Sequence, residues 1–261
     1  SSSSSSSSSL GADGIEFASS GERKRLRLYA HQRRGKQSSS GGSDGMGGMS
    51  GRRARTMRVG DCRGAAHRCA LVSGSREEQI ALLRHEVGVV RRASANPRVA
   101  AKVVVFAASL KAAKLLAPLL GGKKSTSRVV VIDASMPDET DAALDGFQSG
   151  KIHTVVLADD RSLVARLYEQ RESIVATFSV SPPRTTADFL GRSALAGGAA
   201  RGVYGDKPAS VHLMRRTRAA AKAARFMLEH LKNMGDDVIV SPDFEPFASA
   251  TAHQGLKTII Q

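Results

Sequence analysis

The sequence predicts an α/β domain over residues 67–248, with a mostly parallel β-sheet and helices on both faces. One pattern along the chain leads to this prediction. Short runs rich in β-branched residues, such as Val103–Ala107, alternate with longer segments of helical periodicity. Parallel strands need long crossover connections, usually helices, so this alternation favours a parallel sheet. The chain has 261 residues, enough to bury one core of ordinary size.

Six segments are predicted as strands because they are short, mostly apolar and rich in β-branched residues. In chain order they are Ala70–Ser73, Val103–Ala107, Val129–Ile132, His153–Leu157, Ser173–Phe178 and Ser210–Met214.

Five segments are predicted as helices: Glu77–Arg92, Leu110–Leu120, Asp138–Gln148, Thr185–Leu195 and Thr217–Met234. The first shows the pattern best, because its apolar residues recur on one face while acids begin it and arginines end it. Gly121-Gly122 and Gly150 are the expected stops of the second and third. Pro118 is expected to distort the last turn of the second helix.

Residues 1–66 are predicted to form a long, basic, irregular extension, and residues 249–261 a short tail. Ser1–Arg68 contains 13 Lys/Arg and five Asp/Glu, and so carries +8 of the total formal charge of +15. The same segment is rich in Ser and Gly and has too few apolar residues to offset the entropy lost on folding.

The charge of this extension predicts a polyanionic partner, most simply RNA. The candidate RNA-binding residues form three clusters: Arg23, Lys24, Arg25, Arg27; Arg33, Arg34, Lys36; and Arg52, Arg53, Arg55, Arg58. Tyr29 and His31 lie between the first two clusters and are candidates for stacking on a base. The alternative is a solvated tail.

Neither a metal site nor a membrane span is expected. Cys62 and Cys69, with His67 between them, lack the fourth ligand that a zinc site needs. No run of 18 apolar residues exists in the chain. The start of the chain is rich in Arg and Ser and poor in acids, which resembles an organellar presequence; a basic extension in another compartment is the alternative.

Five stretches, in this order, carry a resemblance to a known family: Lys102–Leu120, Ile132–Lys151, His153–Asp160, Ser181–Gly202 and Leu228–Ala248. Together they resemble the second, C-terminal RecA-like lobe of DEAD-box RNA helicases over roughly 180 residues. The resemblance implies a RecA-like fold. It also implies that Ser109 faces RNA, since the family uses a hydroxyl residue against RNA phosphate there.

The departures from the family pattern concern the nucleotide. The family's last motif reads roughly His-Arg-x-Gly-Arg-x-Gly-Arg, and its second and third arginines reach the nucleotide phosphates. Arg192 matches the first arginine, whereas Leu195 and Gly198 stand at the other two positions. Asp159 matches the acid of the family's Thr-Asp pair, but Ala158 replaces the threonine. Asp159 and Arg192 are therefore expected to be vestigial nucleotide-facing residues.

Nothing in the chain matches the phosphate-binding motif G-x-x-x-x-G-K-[ST]. The nearest string, Gly121–Thr126, lacks the leading glycine and follows a helix instead of opening one. An arginine finger contributes about 10³–10⁵ to the rate of phosphoryl transfer, and Leu and Gly supply no such donor. We therefore expect a degenerate pseudo-helicase without ATPase activity, cofactor or catalytic residue.

The leading hypothesis is a structural, RNA-contacting subunit of a large ribonucleoprotein, first of all a mitochondrial ribosome, bound to ribosomal RNA and to neighbouring proteins. Otherwise it would be a cytoplasmic ribonucleoprotein. One lobe of a split ATP-dependent helicase and a protein-interaction adaptor are the alternatives.

The predicted helix Thr217–Met234 has arginines and Lys222 in or just before its first half. This pattern favours either binding of a phosphate backbone or a solvated helix face.

Overall fold

A computed structural model of the chain describes residues 64–72, 74–93, 101–121, 128–198, 203–204, 206–234 and 238–253. The elements in chain order are β1 (Ala66–Val72), α1 (Arg76–Ala93), β2 (Lys102–Ala107), α2 (Leu110–Gly121), β3 (Val129–Ile132), α3 (Pro137–Gln148), β4 (Thr154–Ala158), α4 (Arg161–Tyr168), β5 (Ile174–Ser179), α5 (Thr186–Ala194), β6 (Ala209–Arg215), α6 (Arg218–Leu231), β7 (Val238–Val240) and α7 (Phe244–His253). A 3₁₀ turn at Arg171–Ser173 precedes β5.

In the part of the chain that the structure describes, seven strands form one sheet in the order β3-β4-β2-β5-β6-β1-β7. Every strand pairing is parallel, from Val129 opposite Thr154 at one edge to His67 opposite Val238 at the other. The predicted mostly parallel α/β sheet is confirmed.

The sheet is covered on both faces, as predicted. Val103 and Val105 of β2 pack with α1 and α2 on one face, while Val104 and Phe106 pack with helices α3 to α7 on the other. These four side chains are 0% exposed. A parallel strand buried on both faces reads as a continuous apolar run, which is why Val103–Ala107 was recognisable as a strand. Each such side chain contributes about 1.5–3 kcal/mol through burial.

The helices begin where the sequence supplies caps. The Asp160 carboxylate caps α4 by accepting hydrogen bonds from the amides of Ser162 and Leu163. Thr185 caps α5 in a reciprocal pair with Asp188, each side chain accepting from the other residue's amide at 3.1 Å. Such caps satisfy amides that have no partner within the helix.

Gly150 ends α3 and Gly121 ends α2, as predicted, and the expected distortion at Pro118 does not interrupt α2. Gly150 follows α3 with φ of 77°, in the left-handed region that favours glycine. Pro118 lies inside α2 with an exposed ring, and the helix continues to Gly121.

Three elements were not predicted from periodicity: α4, β7 and α7. At the domain ends, β1 begins at Ala66, one residue before the predicted start of the domain, and α7 continues past residue 248 to His253. The predicted basic extension lies outside the described residues except for its last three positions.

Candidate functional site

The residues singled out in the folded part lie at the carboxyl ends of the parallel strands. Because all the strands are parallel, their carboxyl ends and the starts of the following helices lie along the same edge, where open α/β sheets bind ligands. Asp159 directly follows β4, while Ser109 and Ser181 lie two positions after the ends of β2 and β5. Arg192, in the last turn of α5, reaches back to this edge.

Arg192 is a buried side chain, 1% exposed, and each of its three guanidinium nitrogens has an acceptor. Nε donates to Asp159 Oδ1 at 2.9 Å, Nη2 forms an ion pair with Asp159 Oδ2, and Nη1 donates to the Ser181 carbonyl at 2.7 Å. The guanidinium carbon lies 5.0 Å from the centre of the Phe106 ring. Arg192 therefore contacts three segments at the carboxyl ends of the strands: Phe106 in β2, Asp159 after β4 and Ser181 after β5.

Asp159 and Arg192, the two expected vestigial nucleotide-facing residues, contact each other, and their relation to a nucleotide stays a prediction. The Arg192 guanidinium points into the interior, and the Asp159 carboxylate is turned towards it, with the Asp159 side chain only 16% exposed. The physical reason is charge compensation: a buried guanidinium is stable only when paired and hydrogen-bonded, and Asp159 is the acid within reach.

The two other positions of the arginine-rich motif hold no polar side chain. Leu195 is 0% exposed and belongs to the apolar core. The amide of Gly198 donates to the Ile174 carbonyl at 2.9 Å, and a Cβ atom built on Gly198 would lie 2.7 Å from the Glu172 carbonyl oxygen. Position 198 thus has no room for a side chain unless the backbone moves.

Ser109 lies on the surface at the start of α2, as a residue that meets RNA should. Its Oγ accepts a hydrogen bond from the amide of Ala112 at 3.2 Å, so the hydroxyl also caps the helix. Its proposed contact with RNA stays a prediction.

Asp159 and Asp160 are adjacent in sequence, but their side chains have different partners. Asp159 pairs with Arg192, whereas Asp160 caps α4. The hydrogen bond from the Ser162 hydroxyl, followed by the amides of Leu163 and Ser162, holds the pKa of Asp160 below its ordinary value.

A buried polar cluster beside Arg192 was missed by the sequence reasoning. The Ser210 hydroxyl donates to Ser193 Oγ at 3.0 Å and lies 3.2 Å from His212 Nε2. Burial, and then the positive charges of Arg192 and His67, lower the pKa of His212 well below its ordinary value. The signal was present in the alternation of β6, which places Ser210 and His212 on the same face of the sheet.

The basic residues around the start of α6 divide into two groups. Arg216 pairs with Asp243, which precedes α7. Arg218, Lys222 and Arg225 are exposed, as is Arg215 at the end of β6.

The candidate RNA-binding residues of the extension, from Arg23 to Arg58, lie outside the described residues, as does Cys62. Among the residues that are described, no group of three His, Cys, Asp or Glu side chains is placed to hold a metal ion. No helix in the described ranges combines the length and apolar character needed to cross a bilayer.

No family model matches the chain. No curated protein matches it in sequence either. Solved structures do match. The yeast DEAD-box splicing factor Prp28 aligns with a TM-score of 0.54 and 12% identity, over 72% of this chain and 37% of that one. The C-terminal domain of S. cerevisiae Dbp5, bound to Gle1 and IP6, aligns with a TM-score of 0.47 and 11% identity, over 72% of this chain and 96% of that one.

The fold is therefore a RecA-like α/β fold, similar to that of the matched part of the DEAD-box protein Prp28, as the sequence resemblance implied. At these identities the likeness concerns the fold, and function has to be argued from the site.

Proposed function

We propose that this protein is a non-catalytic, helicase-like structural component of a large ribonucleoprotein, and that its basic extension binds RNA. The mitochondrial ribosome is the first candidate, with ribosomal RNA and neighbouring proteins as partners, because residues 1–68 have the Arg- and Ser-rich, acid-poor composition typical of organellar targeting segments.

The observation that carries the non-catalytic part is the state of the arginine-rich motif. Catalysis of phosphoryl transfer needs cationic donors aimed at the phosphates. Here the first arginine is engaged with Asp159, the second position is the buried Leu195, and the third is Gly198, closed against the backbone of Glu172. Each position is filled in a way that supports packing of the lobe.

The RNA-binding part rests on charge. The segment Ser1–Arg68 carries +8, with most of its cations in three clusters, and a Gly- and Ser-rich stretch separates the second cluster from the third. Each Lys or Arg that contacts a phosphate releases counterions, which makes binding steeply dependent on salt. Since the whole chain has three tyrosines, eight phenylalanines and no tryptophan, contacts to the phosphate backbone should dominate over stacking on bases.

Nucleotide turnover tests the non-catalytic part. The purified full chain should release no phosphate from ATP above background, with or without single-stranded RNA, while an intact DEAD-box helicase in the same buffer serves as the positive control. RNA-stimulated phosphate release by the chain alone would overturn the proposal. Release that begins only after a second polypeptide is added would favour the split-helicase alternative instead.

Sedimentation of mitochondrial extracts tests the assembly. The tagged chain should sediment with ribosomal RNA, and RNase treatment should release it. A matched variant with Arg23, Lys24, Arg25 and Arg27 changed to glutamine should leave the particle at lower salt than the wild type. Sedimentation as a free protein, or with a particle that persists after RNase, would contradict the RNA-borne assembly and favour the adaptor.

A further inference from the structure

We propose that the exposed face of α6 is a second RNA-binding surface, which holds a phosphate backbone through Arg218, Lys222 and Arg225. We call these three residues the α6 stripe. The inference rests on the proposed function for the identity of the polyanion, but it concerns the folded lobe and not the extension.

The α6 stripe is a straight row of cations. Its residues lie at i, i+4 and i+7 of the helix, within an arc of about 60° and over a rise of about 10 Å. The opposite side of α6 is fully buried against the core through Ala220, Ala224 and Met227. The helix is therefore fixed on the lobe with the row facing outwards, so that binding a ligand costs little backbone conformational entropy.

The cations of the stripe are close to one another and lack acidic partners. None of the three forms an ion pair among the described residues, whereas the neighbouring Arg216 is paired with Asp243. The first turn of α6 contains no acid, and Glu229, one turn beyond Arg225, is the first acidic residue of the helix. Like charges at helical spacing and cations near a helix start are both unfavourable, and an external anion relieves both.

The chemistry of the surface favours a phosphate backbone over an acidic protein. Between residues 218 and 225 the exposed residues of α6 are the three cations and Ala219. Protein interfaces depend on aromatic or large apolar anchors, and the stripe presents neither. A row of cations without an aromatic group fits repeated phosphates and binds without regard to base sequence.

The salt dependence of RNA binding tests the stripe in the full chain. The test variant carries Arg218→Gln, Lys222→Gln and Arg225→Gln. The matched control carries Arg84→Gln, Arg92→Gln and Lys111→Gln, three exposed cations on α1 and α2 at the other face of the sheet. Both variants change the net charge equally, and circular dichroism checks that both fold. The probe is a fluorescein-labelled, single-stranded RNA whose anisotropy is followed from 50 to 200 mM KCl.

The slope of log affinity against log salt should fall by about 0.7 for each phosphate that the protein no longer neutralises, hence by about 2 in the test variant. Over this fourfold salt range, the wild type should lose about twentyfold more affinity than the test variant. The control should keep the wild-type slope. An unchanged slope in the test variant, or an equal change in both variants, would overturn the proposal. Equal binding of poly-glutamate with the same slope would overturn the assignment to phosphate.

A measurement on the wild-type chain does not depend on the variants. Saturating RNA should slow acetylation of Lys222 and leave Lys232, also exposed and one residue past the end of α6, unchanged. Equal protection of both lysines would contradict a local contact. If the wild type does not bind RNA, the proposed function fails. If RNA binding is lost only when the cations of the extension are neutralised, only the α6 stripe fails.

Discussion

Replacement of Asp159 by alanine should destabilise the lobe strongly, although part of the Asp159 side chain is exposed. Arg192 is 1% exposed, so the substitution leaves a buried guanidinium without its counter-charge. Removing one partner of a buried pair costs about 3–5 kcal/mol. Because 16% of the Asp159 side chain is exposed, water can partly replace the carboxylate, and we expect the lower end, about 3 kcal/mol.

Urea denaturation of the full chain measures this loss, and thermal unfolding should show a melting temperature lower by about 6–12 °C. The matched control is Asp141→Ala, which removes an exposed ion pair with Arg166 and should cost under about 1 kcal/mol. The double variant Asp159→Ala with Arg192→Leu should be less destabilised than the sum of the single variants, since the unpaired charge is gone. A loss of less than about 1 kcal/mol for Asp159→Ala, similar to the control, would refute the reasoning.

Three further predictions concern packing, protonation and capping. Gly198→Ala should lower the free energy of unfolding by about 1–3 kcal/mol, because the new Cβ meets the Glu172 carbonyl. In the same denaturation assay the control Gly121→Ala should be neutral or stabilising, because its Cβ would make only an ordinary van der Waals contact. Burial lowers the pKa of His212 in the folded state below its unfolded value, so its contribution to stability is present above about pH 6.5 and is lost as the pH falls. The free energy of unfolding of the wild type should therefore fall more steeply between about pH 6.5 and 5.0 than that of His212→Gln, and parallel curves would count against this. Thr185→Ala should cost about 1 kcal/mol by removing the α5 cap, and Thr185→Ser should restore most of it; equal stability of the two variants would show that the hydroxyl is not the cause.

The fold could be predicted from the sequence where a segment had a clear hydrophobic periodicity or a high content of β-branched residues. Val129–Ile132 was predicted with the bounds it has, because a short β-branched run next to an amphipathic helix is unambiguous. Helix α4 was missed because it is only eight residues long, although Asp160, two residues before Ser162, is a recognisable cap. Strand β7 has three residues and α7 begins after a turn, so neither shows a clear period.

The site was predictable as a set of residues but not as a geometry. The sequence placed Asp159 and Arg192 in related motifs, 33 positions apart, without showing that they form a pair. Orientation of an arginine depends on which carbonyl and acid the tertiary fold brings near it, and Ser181 supplies that carbonyl from a loop. The closure of position 198 likewise depends on the path of the backbone at Glu172, which no side-chain pattern encodes.

The two borders of the sheet are unusually brief. β3 has four residues and β7 has three, so each offers a stray chain only a few free backbone groups to pair with. Short edge strands of this kind limit pairing between copies of the lobe, so the sheet gives little support to aggregation through its edges.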